Sequence, residues 1–152
     1  MLNNNNDITD FKFFTELKVR YEETDAMSVV YYGKYFIFFE VARTEYIKKI
    51  GYNYVDIEKS GFYFAVVESN CNYIAPARFD DLLKIYAKIE YIKNSSFNFL
   101  YKIVKKNENN NEESEISIAK GNTVLVCVDS ADFKPRKIPD YIRKAIQNFE
   151  GF

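Results

Sequence analysis

The chain contains no histidine and no tryptophan, and it has only two cysteines, three prolines and five glycines among its 152 residues. Without an imidazole, neither a Ser-His-Asp triad nor a Cys-His dyad can be built. Cys71 and Cys127 stand alone, with no Cys-x-x-Cys pair, which excludes a zinc site of the ordinary type. Two cysteines make no disulfide framework in a chain of this size, so we expect both to be small apolar strand residues. Any acid–base or nucleophilic chemistry must therefore use a carboxylate, a tyrosine, a cysteine or the backbone.

The glycines and the charges exclude further classes of protein. The glycines are scattered singly, so there is no phosphate-binding loop and no dinucleotide fingerprint. The net charge is −1 with acidic and basic residues interspersed, which leaves no basic field to attract nucleic acid. No apolar run approaches the roughly 20 residues that span a membrane, and the first ten residues lack the character of a secretory signal. We therefore expect a cytoplasmic protein with no nucleic-acid partner, no transmembrane segment, and no metal or redox cofactor.

Apolar and aromatic side chains are abundant, in contrast. Hydrophobic residues make up 47% of the chain, with 13 Tyr and 14 Phe, which is enough for one sizeable core. The polar start of the chain predicts a flexible N-terminus at residues 1–10, followed by a single domain at residues 11–152.

The hydrophobic pattern predicts an α+β fold. Helical spacing indicates one long helix at residues 33–50, ended by Gly51. Alternating apolar residues predict strands within residues 11–20, 62–74, 83–91, 97–103 and 116–128. A linking segment is expected at residues 52–61, a polar hairpin loop at residues 107–113, and a short C-terminal helix after Pro139. Consecutive strands joined by tight turns would make a long, curved antiparallel sheet, and the long apolar helix would be buried against it.

Asp25 is the candidate catalytic residue, because it lies in a short polar loop seven to eight residues before the predicted helix. Backbone N–H groups in the first helical turn lack internal partners, and the helix dipole adds positive charge there. Such a helix start can stabilise an oxyanion, and a carboxylate beside it can attack a carbonyl or activate a water. This arrangement suits thioester hydrolysis, since a thiolate is a good leaving group. The alternative is that Asp25 only organises the turn by accepting hydrogen bonds from nearby N–H groups.

Linked motifs along nearly the whole chain resemble the signature of one enzyme family. These motifs are Arg20-Tyr21, Glu23-Thr24-Asp25, Val29-Val30-Tyr31-Tyr32, Tyr35, Phe39-Glu40, Ala42-Arg43-Thr44-Glu45, Gly51, Val66-Val67-Glu68, Cys71, Tyr73 and Pro76-Ala77-Arg78-Phe79-Asp80-Asp81. The chain resembles the 4-hydroxybenzoyl-CoA thioesterase-like acyl-CoA thioesterases, which have the hotdog fold. In that fold a long antiparallel sheet wraps around a central helix, which agrees with the pattern above.

The resemblance implies an acyl-CoA thioesterase in which coenzyme A is part of the substrate and no other cofactor is required. Asp25 matches the catalytic carboxylate of the family. Tyr32 and Gly33 fall at the helix start, where family members polarise the thioester carbonyl through a backbone N–H. The resemblance also implies a homo-oligomer, either a dimer or a dimer of dimers (a homotetramer), with active sites at the dimer interface. The pantetheine arm would lie between subunits.

Two positions depart from the family pattern. Many members carry His where this chain has Tyr32, although Tyr also occurs there in the 4-hydroxybenzoyl-CoA branch. Members often have Gly where this chain has Ser28, and only Gly adopts positive φ freely. The structure of this loop therefore bears directly on the prediction.

Other side chains are candidates for substrate binding, each with a structural alternative. The predicted set is Tyr31, Tyr35, Glu68, Arg78, Lys93, Asn94, Ser95 and Ser96. Residues 93–96 form a polar patch that could contact the phosphates of CoA or be an ordinary solvated turn. Glu68 could be a second carboxylate at a subunit interface. Glu40 could be catalytic, but we favour a structural carboxylate that is hydrogen-bonded or paired with Arg43.

Two other functions remain open from the sequence. One is a thioesterase that acts on acyl groups carried by acyl carrier protein. The other is a non-catalytic hotdog protein that binds acyl-CoA.

Overall fold

The computed structural model of the protein describes residues 10–106 and 114–152. Apart from Asp10, the predicted flexible N-terminus lies outside the described residues. The predicted hairpin loop at residues 107–113 lies outside them entirely.

The described residues form five strands and three helices. The strands are β1 (Phe13–Lys18), β2 (Phe62–Tyr73), β3 (Leu82–Ile92), β4 (Ser96–Lys106) and β5 (Glu115–Asp129). The helices are α1 (Lys34–Lys49), α2 (Tyr54–Lys59) and α3 (Asp140–Glu150), and a short 3-10 turn covers Tyr21–Glu23. Within the described ranges, no helix is long and apolar enough to cross a membrane.

Helix α1 is the central helix that the sequence predicts. Its buried apolar residues are Tyr35, Phe38, Phe39, Ala42, Tyr46 and Ile47, none more than 3% exposed. Gly51 follows the helix with φ +102°, and its N–H donates to the Lys48 carbonyl at 3.0 Å, so the helix ends where the sequence indicates. One apolar face of α1 remains open, because Phe36, Ile37 and Val41 are 36–44% exposed.

The strands form one antiparallel sheet in the order β1-β3-β4-β5-β2. The prediction that each strand pairs with the next was therefore wrong for β2 and β3, since β2 pairs with β5 and β3 pairs with β1 and β4. The physical reason lies in residues 74–81, which include Pro76 and do not join β2 and β3 as a hairpin. A turn occurs only at Arg78–Asp81, directly before β3, where the Asp81 N–H donates to the Arg78 carbonyl at 3.1 Å. Instead, the Ala77 carbonyl accepts a hydrogen bond from the Val30 N–H at 2.8 Å, which holds this connection under the Asp25 loop.

The second correction concerns residues 52–61, which contain the short helix α2 rather than a plain linker. The Asn53 side chain caps this helix by accepting a hydrogen bond from the Asp56 N–H at 2.9 Å. Ile57 then packs into the core at 2% exposure. An Asn three residues before an Asp was the sequence signal for this helix.

Helix α1 packs on the concave face of the sheet, and α3 closes one end of the core. The Phe39 ring stacks on the Tyr101 ring of β4 with centroids 4.3 Å apart. The Glu150 carboxylate of α3 accepts hydrogen bonds from the Tyr46 hydroxyl at 2.5 Å and from the Ile89 N–H at 2.9 Å. A curved antiparallel sheet wrapped around one central helix, with a C-terminal helix, is the architecture that the sequence predicts.

Candidate active site

The Asp25 loop is a closed hairpin-like turn. Thr24 and Val30 form an antiparallel bridge across its base. Within it the Asp25 N–H donates to the Val29 carbonyl and the Ser28 N–H donates to the Asp25 carbonyl, both at 2.9 Å. Ser28 has φ +62°, so it adopts the left-handed conformation for which Gly is favoured. The chain thus keeps this loop conformation with a serine, at a cost of roughly 1 kcal/mol.

The two carboxylate oxygens of Asp25 have different environments. Oδ1 accepts a hydrogen bond from the Met27 N–H at 2.8 Å, which is the turn-organising role weighed as the alternative. Oδ2 accepts no hydrogen bond from any described residue, and the side chain is half-buried. The turn-organising role and a chemical role are therefore compatible, because one oxygen holds the loop and the other is available.

The start of α1 offers unbonded backbone donors. Gly33 is the N-cap with an ordinary helical φ of −71°. Among the described residues, no backbone carbonyl accepts a hydrogen bond from the N–H of Tyr32 or Gly33. The first turn of α1 contains no acidic residue, so the positive end of the helix dipole is not neutralised there.

Tyr31 lies between Asp25 and the start of α1 in the sequence, and its side chain is influenced by groups on both sides. Its phenol lies beside that of Tyr32, with ring centroids 4.5 Å apart, and both rings are exposed. The Tyr32 phenol raises the pKa of Tyr31 most strongly, and the nearby Asp25 charge raises it further. A Cβ atom at Gly33 would lie 3.2 Å from the Tyr31 ring, so a side chain at this position would meet that ring.

Arg78 also belongs to this region. Its N–H donates to the Asp81 carboxylate at 2.8 Å, and its guanidinium lies 3.5 Å from the Ser28 carbonyl of the Asp25 loop. The side chain is exposed and leaves donors available for an anionic group.

Tyr35, which is predicted to contact substrate, lies in the core of the described structure. Its ring is only 3% exposed, and it packs edge-to-face against Phe38 and Tyr73. Burial also raises the pKa of its phenol. In this chain Tyr35 is a core residue because it lies on the face of α1 that points into the sheet.

Glu68 lies in the middle of β2, away from α1. Its carboxylate is 3.4 Å from the Asn70 side-chain amide, on the outer face of the sheet. The intervening Ser69 points inward, where its hydroxyl meets that of Thr123 at 3.1 Å, as strand alternation requires. One chain therefore does not bring Glu68 to Asp25.

Residues 93–95 form the turn between β3 and β4, and Ser96 is the first residue of β4. The Lys93 and Asn94 carbonyls accept hydrogen bonds from the Arg143 guanidinium at 2.8 and 3.0 Å, and the Ser95 carbonyl accepts one from the Cys127 N–H at 2.7 Å. This turn follows Ile92, the last residue of β3, whereas the Asp25 loop lies near Leu82, the first residue of β3. Because β3 spans Leu82–Ile92, the two regions are separated by about 33 Å of strand.

The expectation for Glu40 was wrong. Its side chain is exposed and forms no ion pair or hydrogen bond with Arg43 among the described residues. Arg43 is 9% exposed, and its guanidinium instead donates to the Tyr101 hydroxyl at 3.1 Å and to the Thr123 hydroxyl at 3.4 Å. Buried hydroxyls therefore satisfy the arginine, so it does not depend on the neighbouring carboxylate.

Tyr73 has no role in the predictions from the sequence beyond its place in a motif. This β2 residue donates a hydrogen bond from its hydroxyl to the Tyr32 carbonyl at 2.9 Å. The alternation of Cys71 and Tyr73 placed both on the inner face of a strand, but nothing in the pattern indicated contact with the helix start.

Comparison with known proteins identifies the family to which the chain is similar. A family model described as "Thioesterase superfamily" matches residues 27–111. The acyl-CoA thioester hydrolase YbgC of Escherichia coli is 34% identical over 126 residues, covering 83% of this chain and 89% of that protein. The acyl-CoA thioesterase YbgC of Haemophilus influenzae is 28% identical, covering 93% and 98%.

A solved structure has the same fold. The DHNA-CoA thioesterase of Staphylococcus aureus superposes with a TM-score of 0.78 at 33% identity, covering 91% of this chain and 94% of that one. The architecture is thus the hotdog fold of CoA thioesterases. The matched family, the extent of the identity and the shared fold together show that the chain belongs to the thioesterase superfamily.

Proposed function

We propose that this acyl-CoA thioesterase performs its chemistry where the Asp25 loop meets the start of α1. The observation that carries the proposal is the free Oδ2 of Asp25 in a loop that leads directly to the unbonded amide of Gly33. A carboxylate and an oxyanion donor are the two groups that hydrolysis of a thioester needs.

In the proposed reaction, the thioester carbonyl oxygen binds the N–H of Gly33, supported by the dipole of α1. A water attacks the carbonyl carbon, and Asp25 accepts its proton as the C–O bond forms. The carbon–sulfur bond then breaks and its electron pair leaves on sulfur. The proton held by Asp25 returns to the CoA thiolate, and the products are a free acid and CoA. Protein groups and water alone carry these steps.

Asp25 could instead attack the carbonyl itself and form a mixed anhydride that water hydrolyses. A single turnover in ¹⁸O-labelled water, with enzyme in excess over substrate, tests for an anhydride that water opens at the aspartyl carbon. Label found in the Asp25 side chain identifies a nucleophile. Label found only in the product acid in the first turnover excludes that opening and leaves the general-base route or opening of the anhydride at the acyl carbon.

Substrate contacts within one chain are proposed for Tyr31 and Arg78. The exposed Tyr31 ring lies over Gly33, and Arg78 presents a cation beside the Asp25 loop. Tyr32 contributes backbone atoms at the helix start, in the position where many family members carry histidine.

The enzyme is proposed to be a homo-oligomer, either a dimer or a dimer of dimers. Strand β2 is a 12-residue edge strand, and its Val66 and Val67 are 52% and 61% exposed. The open apolar face of α1 (Phe36, Ile37 and Val41) adds to this surface. A long unpaired edge with exposed apolar residues favours pairing with a second copy.

A second copy would also bring together the predicted substrate-binding residues that lie far apart in one chain. If two β2 strands pair antiparallel, opposite ends of the two subunits come together. Residues 93–96 of one subunit could then approach the Asp25 loop of the other and bind CoA phosphates. Glu68 would be brought to the subunit interface in the same way.

Asp25→Asn tests the proposed reaction, because asparagine keeps an oxygen for the Met27 N–H but removes the charge. Purified protein is assayed on a panel of acyl-CoA esters with a thiol-trapping dye. We expect the rate to fall about 10³-fold, the scale set by losing a catalytic group. Asp132→Asn is the matched control, since Asp132 accepts a hydrogen bond from the Lys134 N–H at 3.0 Å in a similar turn.

The panel also separates the alternative functions. Equal and negligible rates for the unmodified protein and for Asp25→Asn would refute the catalytic proposal. Saturable binding of CoA esters would then indicate a binding protein. Turnover of carrier-protein thioesters without turnover of CoA esters would identify the alternative substrate.

A cytoplasmic location is proposed as well. The two free cysteines, one half-buried and one buried, are typical of a reducing compartment. Fractionation of cells that express a tagged copy tests it, and recovery of the protein outside the cytoplasmic fraction would contradict it.

A further inference from the structure

A side chain of the edge strand holds the peptide group at the start of α1. The Tyr73 hydroxyl donates to the Tyr32 carbonyl at 2.9 Å, across 41 residues of sequence. No backbone N–H in the described part of the chain donates to that oxygen. The phenol is itself held in place, because Tyr73 pairs with Ala119 of β5 and its ring meets the Tyr35 ring at 5.3 Å.

We infer that Tyr73 is a positioning residue for thioester hydrolysis. This inference rests on the proposed function of the Gly33 N–H as the oxyanion donor. The Tyr32 carbonyl and the Gly33 N–H belong to one planar peptide group. A hydrogen bond that fixes the carbonyl oxygen therefore also fixes the direction of the N–H.

The same hydrogen bond strengthens the donor. A bond accepted by a carbonyl polarises the peptide group and makes its N–H a better donor to the next acceptor in the chain. The benefit grows as negative charge develops on the substrate oxygen, so it belongs mainly to the transition state.

Tyr73 acts as a donor over the whole working range of pH. Partial burial, reinforced by the neighbouring Cys71 thiol, raises the pKa of its phenol to about 12. A raised tyrosine pKa favours the neutral form, so the O–H is present at any pH at which a thioester enzyme is assayed. The groups around it are Cys71, Tyr35 and Tyr32, and none is a carboxylate. Tyr73 is therefore not expected to transfer a proton.

The test is Tyr73→Phe, which removes the hydroxyl and keeps the ring against Tyr35. We expect kcat to fall about tenfold, the effect of one lost hydrogen bond, while KM and the thermal midpoint change little. The shape of the pH profile should match that of the unmodified enzyme. Tyr141→Phe is the matched control, because Tyr141 is 45% exposed against 49% for Tyr73 and forms no hydrogen bond with a described residue.

A second readout does not depend on turnover. In a ¹⁵N-labelled protein, loss of the Tyr73 bond should shift the Gly33 amide resonance upfield and leave the resonance of Gly151 in place. Wild-type kcat in Tyr73→Phe would overturn the inference while the proposed function stands, as would an unmoved Gly33 resonance. A rise in KM together with parallel losses of stability and kcat would show a merely structural role of Tyr73. That result would also overturn the inference. Absence of turnover in the unmodified protein would refute the proposed function first.

Discussion

At the scale of single residues, Asp25 and Asp132 are a close comparison. Each accepts a hydrogen bond from the N–H two residues later, and each precedes a helix by a similar spacing. The helices differ, however, at their starts. Helix α3 has Pro139 as its N-cap, which has no N–H, and Asp140 in its first turn. Helix α1 has Gly33 and no acid there, so of these two helices α1 is the one that can receive an oxyanion.

Gly33→Ala tests the importance of access to this helix start. The new Cβ would lie 3.2 Å from the Tyr31 ring, where we expect the thioester to approach. We predict a fall in kcat/KM of at least about tenfold, because small misplacements of reacting groups are costly. The backbone φ of −71° suits alanine and the Tyr31 ring is exposed, so stability should change by less than about 1 kcal/mol. Steady-state kinetics and urea unfolding of the same sample check both parts, and an unchanged rate would contradict the role of Gly33.

At the scale of elements, the packing of α1 on the sheet depends on a glycine in β5. A Cβ at Gly121 would lie 2.3 Å from the Asn70 carbonyl oxygen and 2.6 Å from the Phe39 ring. Both neighbours are fixed, one as backbone of β2 and the other as a fully buried ring. The isolated glycine inside a strand pattern was a sequence signal for such a close approach.

Gly121→Ala should therefore destabilise the protein by about 3 kcal/mol, the upper part of the usual range for overpacking. The measurement is urea unfolding followed by circular dichroism. Gly33→Ala provides the comparison, since it is the same chemical change at a site with more room. A loss below about 1 kcal/mol at Gly121 would show that the helix can shift away from β5.

At the scale of the whole molecule, the unpaired edge of β2 predicts assembly. Val66→Glu places a charge in this edge, and we expect it to shift the protein toward monomer because burying an unpaired charge is costly. Light scattering coupled to size exclusion measures the mass. Activity should fall in proportion to the loss of oligomer if residues 93–96 act from a second subunit.

Tyr141→Glu is the control for this change, since Tyr141 is similarly exposed but lies on α3, which packs on β3. A Val66→Glu protein that kept the mass and rate of the unmodified enzyme would refute assembly through β2. Full activity in a monomer would refute the shared site.

The sequence by itself determined the spacing of apolar residues in each main element and the presence of the long apolar helix. It also excluded every mechanism that needs an imidazole. These follow from local chemistry, because apolar spacing and residue type are properties of the chain alone. It could not determine that β2 pairs with β5, that Arg43 bonds hydroxyls instead of Glu40, or that Tyr73 reaches the Tyr32 carbonyl. Those contacts join residues between 41 and 80 positions apart, and only the path of the folded chain brings them together.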